Sequence, residues 1–172
     1  MFQFMVLAIT AALVSLDQLT KWLAVVGLKG AGTLDVIPGV LGFTYVENGG
    51  AAFGILQGQR WLFLIFTGVV MAAILLLLLF GKFRSYQMFN ISATLIVAGG
   101  LGNFIDRLIH GYVVDFIQVQ FFEFPVFNVA DCFVVIGSLL LLVFVFFFYD
   151  EKKPSIPNAE ESHADDSNDR LN

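Results

Sequence analysis

Two aspartates, Asp115 in "GYVVDF" and Asp131 in "FNVAD", each stand beside an apolar segment. Carboxylates that meet in a dry pocket cannot easily both ionise, because like charge and desolvation raise one pKa. The pair then holds one proton between them. One member can take a proton from water while the other, still protonated, polarises a carbonyl oxygen, as aspartic proteases do. Asn48, Asn103 and Asn128 carry donors and acceptors that can hold a peptide or orient the carboxylates. Asp17 and Lys21 stand at i and i+4, on one helix face, and can pair. Charges inside a membrane segment usually mark a functional interior.

Each residue also has a purely structural reading. Asp131 can cap the N-terminus of a following helix, and Asp115 can be a solvated loop carboxylate. Asp17 and Lys21 can form a structural ion pair with Lys21 snorkelling to the surface, and Arg107 can pair with Asp106 at the interface. Cys132 reads as a small core residue, and His110 as an interfacial side chain rather than a base. A metal site fits poorly, because His110 is the one histidine outside the tail and no His/Cys cluster has ligand spacing. No Ser–His–Asp order stands out, and no cofactor is expected.

Positioning such residues falls to membrane-spanning helices. The 172 residues are 58% hydrophobic and only 13% charged, with mean hydropathy +0.84, whereas soluble domains are about 25% charged. A span needs about 20 apolar residues. Trp61–Phe80 and Cys132–Tyr149 contain no charge, Phe4–Leu28 is interrupted by Asp17 and Lys21, and Met88–Ile105 holds polar but uncharged residues. The first span lacks the basic start of a cleaved signal peptide. The expected fold class is therefore all-α membrane with a small β element: four spans at 4–28, 61–80, 88–105 and 132–149, in one domain over 1–149. "GFTYVE" (42–47) and "FIQVQFF" (116–122) alternate with a period of two, as half-buried strands do, and predict a small sheet resting on the membrane surface.

Lys82 and Arg84 follow the second span, and Lys152 and Lys153 follow the fourth. The positive-inside rule puts both clusters, and both termini, in the cytoplasm, with the connections 29–60 and 106–130 outside. From Asp150 onward seven acids meet three bases. Most of the formal charge of −5 thus lies in the tail, 150–172, which is expected to be disordered and cytoplasmic. The rest is nearly neutral and offers nucleic acid no basic surface. A single cysteine excludes an internal disulfide.

Helix rise then gives depth. Asp17 and Asn103 lie about 20 and 22 Å from the cytoplasmic side, while Asp115 and Asp131 flank the outer ends of spans three and four. All four fall in one layer. A transporter relaying protons would instead need polar residues along a path through the bilayer; against a non-catalytic chaperone with the same pocket stands the intact pair of aspartates.

Five motifs, "DQLTK" (17–21), "NGGAAFG" (48–54), "GGLGNFIDR" (99–107), "GYVVDF" (111–116) and "FNVAD" (127–131), occur in that order around the spans. In this combination the chain closely resembles the lipoprotein signal peptidase (signal peptidase II) family over about residues 5–149. The resemblance implies an aspartic peptidase of the bacterial inner membrane, free of metal and cofactor, cutting prolipoproteins just before the diacylglyceryl-modified cysteine. It implies that Asp115 and Asp131 are the catalytic pair. Asn48, Asn103, Arg107 and Asn128 would line the substrate and inhibitor pocket, with Asp17 and Lys21 in support. It further implies a periplasmic β-cradle, and membrane lipid and globomycin-type cyclic peptides as partners. Ala98, Gly99 and Gly100 stand where the family usually has Gly-Gly-Ala, an exchange that keeps every side chain small. The acidic tail matches no family motif.

Overall fold

The computed structural model describes residues 1–50 and 58–148. Residues 51–54 of "NGGAAFG", Tyr149 and the acidic tail lie outside the described residues. Four helices, α1 (Phe2–Leu28), α2 (Arg60–Phe80), α3 (Gln87–Ile109) and α4 (Val129–Phe147), are each long and apolar enough to cross a membrane. An antiparallel sheet of order β1-β2-β3 joins them, formed by β1 (Leu34–Ile37), β2 (Leu41–Asn48) and β3 (Val113–Val119). The expected fold class, a four-helix membrane protein with a small β element, is what the chain adopts.

The bundle is built around α3, 56% of whose spanning window is buried, against 17% in each of the other three. Lipid tails are as apolar as leucine, so membrane helices associate through close packing of small residues rather than by escaping water. Successive helix positions turn by about 100°, and the glycines of α3 therefore face three neighbours. A Cβ at Gly99 would meet the Ala130 carbonyl oxygen and Val134 of α4; one at Gly100 would meet the Met71 thioether of α2; one at Gly102 would meet the Asp17 carboxylate of α1. A backbone carbonyl cannot move aside, whereas a methionine can change rotamer. Gly99→Ala should therefore lower stability by about 1–3 kcal/mol, the usual range for overpacking, and Gly100→Ala by distinctly less. Thermal unfolding of the two purified variants in one detergent checks the order.

The ends of the elements differ from the sequence expectation in ways that matter for the site. Helix α3 continues to Ile109, so Asp106 and Arg107 sit on the helix rather than in the outer connection. Helix α4 begins at Val129, which puts Asp131 inside its first turn. Strand β3 starts at Val113 and stops at Val119, leaving Phe121 and Phe122 exposed beyond it. Its first four residues are all buried. Val114 and Phe116 pack on Ala24, Val25 and Leu28 of α1, while Val113 and Asp115 line a cavity on the other side. A strand covered on both faces shows no alternation, which is why the period-two pattern starts only at Phe116. Strand β1 was not anticipated. It is four residues long, fully exposed, and turned into β2 at Pro38 and Gly39, whose φ of 72° suits glycine.

Candidate active site

Four elements converge where β2 and β3 meet the outer ends of α3 and α4. Register pairs Val46 with Asp115 and Asn48 with Val113, so the end of β2 lies beside the strand that carries Asp115. Asn48 donates from Nδ2 to Asp115 Oδ2 at 2.8 Å, and its own oxygen accepts the Gly50 N–H at 3.0 Å. Asn128 donates to Asp115 Oδ1 at 2.6 Å. Asp115 is only 2% exposed, so the solvated-loop reading of this residue is wrong.

Asn128 also explains the start of α4. Its side-chain oxygen accepts the Asp131 N–H at 3.0 Å, and Asp131 Oδ2 accepts the Asn128 N–H at 3.1 Å. The two satisfy each other's otherwise unpaired backbone donors as a capping box. The cap proper is therefore Asn128, with Asp131 its reciprocal partner. This leaves Asp131 Oδ1 to accept the Asn103 amide at 2.8 Å. Asn128 bridges to Asn103 as well, donating to its oxygen at 3.2 Å. Both aspartates thus hang on one buried asparagine and line one cavity.

Behind the asparagines lies a buried charge cluster. The Lys21 ammonium has three protons and three acceptors: Asp17 Oδ2 at 2.9 Å, Asp106 Oδ2 at 3.0 Å and Asn103 Oδ1 at 2.8 Å. Lys21 is 3% exposed and points inward, so it does not snorkel. Asp17 Oδ1 accepts the Ala130 N–H at 2.9 Å, tying α1 to the first turn of α4. Asp106 Oδ2 also accepts the Val114 N–H at 3.2 Å, which ties α3 to the free edge of β3, and Gln18 donates to its Oδ1 at 2.9 Å. The alternative reading that pairs Arg107 with Asp106 is therefore wrong: successive helical residues do not face each other. Arg107 instead donates to the Gly50 carbonyl at 3.1 Å and lies 4.7 Å from the Phe63 ring centre.

A cavity of about 590 Å³ opens beside the two aspartates. Asn48, Asn103 and Arg107 reach it, whereas Asn128, expected there too, is wholly buried behind the carboxylates; much of the remaining wall is apolar, including Phe63, Val113, Phe124, Val135 and Ile136. Burial pushes the Asp115 pKa from 3.8 up to about 6, the neighbouring Asp131 adds to the rise, and the Asn48 and Asn128 amides oppose it. The folded protein therefore holds this proton between pH 3.8 and about 6 while the unfolded chain releases it. Asp115 thus contributes stability at low pH that is lost as pH rises through that window. An infrared titration should show a protonated-carboxyl band that disappears with a midpoint near pH 6 and is missing from Asp115→Asn. Among the described residues no three His, Cys, Asp or Glu side chains are grouped to hold a metal ion.

The family described as Signal peptidase (SPase) II matches this chain over residues 9–147. The chain belongs to the signal peptidase II family. It is 42% identical over 147 residues to the lipoprotein signal peptidase of Listeria monocytogenes serotype 4a (strain HCC23), covering 84% of this chain and 94% of that one. To the lipoprotein signal peptidase of Streptococcus thermophilus (strain CNRZ 1066) it is 44% identical over 132 residues, covering 77% and 86%. A bacterial membrane enzyme solved by the in meso method at 2.3 Å resolution superposes with TM-score 0.75 at 34% identity, covering 87% of this chain and 94% of that one. The chain is thus a multi-pass membrane peptidase.

Of the candidate site residues, Asp17, Lys21, Asn48, Asn103, Arg107, Asp115, Asn128 and Asp131 lie together in this signal peptidase's cluster and at its cavity, whereas His110 and Cys132 take no part in its hydrogen bonds. His110 is exposed and stacks on Tyr112 with ring centres 5.7 Å apart. Cys132 lines the cavity wall. Gln18 was missed, and Asp106 was read only as an interfacial partner of Arg107 rather than as a member of the cluster. Asp106 lies three residues after Asn103, on the same helix face, and that spacing was the available signal. A lone glutamine in "DQLTK" carries none.

Proposed function

We propose that this peptidase removes signal peptides from prolipoproteins, cutting before the diacylglyceryl-modified cysteine, with Asp115 and Asp131 as an aspartic dyad. The carrying observation is that both carboxylates line one largely apolar cavity and are joined through Asn128. The substrate class comes from the relatives, which are lipoprotein signal peptidases.

The chemistry needs one proton on the pair. The ionised carboxylate takes a proton from water as its oxygen attacks the scissile carbonyl. The protonated carboxyl hydrogen-bonds the carbonyl oxygen and stabilises the charge that develops there. Collapse of the tetrahedral intermediate expels the amine, which receives the proton held by the general base. Water, peptide and proton balance without any other reactant. Asn48, Asn103 and Arg107 line the cavity and hold the peptide, Asn128 holds both carboxylates from behind, and Asp17 and Lys21 support them. The apolar wall suits membrane lipid and the diacylglyceryl group, and globomycin-type cyclic peptides would compete for the same cavity.

Lys82, Arg84, Lys152 and Lys153 favour a topology with both termini cytoplasmic. The reading then places the protein in the bacterial inner membrane, with the cavity toward the periplasm. The test is to mix purified enzyme with a diacylglyceryl-modified precursor and with the same precursor unmodified. Release of a signal peptide from the modified form alone is expected. Equal cutting of both would remove the lipid requirement, and no cutting of either would remove the function.

A further inference from the structure

Three carboxamides face the two carboxylates, and all three present N–H. Asn48 and Asn128 donate to the two oxygens of Asp115, and Asn103 donates to Asp131. A carboxamide can turn over and offer its oxygen instead, so something must hold each one in this sense. For two of them it is the backbone: the Gly50 N–H occupies the oxygen of Asn48, and the Asp131 N–H occupies that of Asn128. Among the described residues the oxygen of Asn103 has no backbone donor. It accepts from Lys21 Nζ at 2.8 Å and more distantly from Asn128 at 3.2 Å. An ammonium has no acceptor, so its presence excludes the reversed amide.

We infer that Lys21, which does not line the cavity, is a positioning residue that locks the Asn103 amide as a donor toward Asp131 and so keeps the shared proton on the cavity side. Without Lys21 only the longer bond from Asn128 at 3.2 Å would hold that oxygen, and Asn103 would turn its oxygen to Asp131 in a fraction of the molecules. A protonated Asp131 would then donate to that oxygen, and its proton would point away from the peptide. This resting state would have to be broken before each turnover. The inference rests on the dyad reading above, since it concerns where the dyad's proton points.

The experiment compares wild type, Asp17→Asn and the charge-balanced Asp17→Asn/Lys21→Met in lipid nanodiscs with the lipid-modified precursor. Asp17→Asn retains Lys21 beside Asn103 and Asp106 and is the reference for the double variant, which shares its loss of the Asp17 carboxylate. The double variant should lose about tenfold to a hundredfold in kcat at neutral pH, within the range of acid–base contributions. Its KM should stay within about twofold, and the acid limb should move up by about one pH unit, equivalent to tenfold in the proton equilibrium. Adding Asn103→Ala should erase the difference between the backgrounds with and without Lys21, because a residue acting through another shows no effect in its absence.

An unchanged profile in the double variant, a rise in KM instead of a fall in kcat, or an effect that persists with Asn103→Ala each overturns the inference. So does failure of the double variant to fold where Asp17→Asn folds, for Lys21 would then serve the fold itself. The dyad reading fails separately. Turnover retained by Asp115→Asn removes the pair, whereas a null result at position 21 beside an inactive Asp115→Asn removes only the lock.

Discussion

Asp115→Asn and Asp131→Asn should each reduce cleavage by at least about 10⁴-fold, at the upper end of what general acid–base groups contribute. The exchange nearly preserves shape but removes the proton that the pair must hold. The structure adds a structural cost to this chemical one. Both oxygens of Asp115 receive N–H donors, from Asn48 and Asn128, and both oxygens of Asp131 do so from Asn103 and the Asn128 backbone. An asparagine at either position sets its NH2 against one of those donors. None of the three asparagines can turn over to relieve it while its own oxygen is occupied. Each variant should therefore also lose about 1–3 kcal/mol of stability, the cost of one frustrated buried polar contact. Helical circular dichroism and thermal unfolding separate that loss from the loss of turnover, and a folded variant that still cuts would defeat the assignment.

The largest effect on stability is expected from Asp17→Ala. Asp17 is wholly buried; it holds the Lys21 ammonium with one oxygen and the Ala130 N–H with the other. Removing it leaves a buried donor at the start of α4 unpaired and a buried ammonium with one anion fewer. Breaking a buried pair from one side costs about 3–5 kcal/mol. Gly102 makes the effect worse, because its lack of a side chain leaves α3 backbone directly against the lost carboxylate. Much lower yield and a strongly depressed Tm should result. Asp17→Asn retains an acceptor for Ala130 and should fall between wild type and Asp17→Ala. A Tm for Asp17→Ala equal to wild type would mean that the cluster contributes nothing to the bundle.

What was legible in the chain follows from which forces act locally. The four spans could be read because a bilayer demands long apolar runs. The expected common depth of Asp17, Asn103, Asp115 and Asp131 followed from helix rise for the first two and from the outer ends of spans three and four for the others. The end of α3 was hidden because Asp106 and Arg107 look like the edge of a membrane segment. Their charges are in fact met by Lys21, Gln18 and Gly50, all from other elements. The inward direction of Lys21 was equally hidden, since it depends on how closely Gly102 lets α1 approach. Asn128 and Asp131 stand three residues apart, as a capping box requires, yet the first-turn position of Asp131 became clear only with the start of α4. Strand β1 has neither burial nor length to mark it and exists because β2 offers an edge.

The central claim is that water, activated between Asp115 and Asp131, attacks the peptide directly. Its most direct test is a first turnover in heavy-oxygen water containing hydroxylamine, followed by mass spectrometry of enzyme and released signal peptide. The account predicts one heavy oxygen in the new carboxylate, no hydroxamate and an enzyme of unchanged mass. A hydroxamate, or a peptide attached to the enzyme at Cys132 or either aspartate, would contradict it.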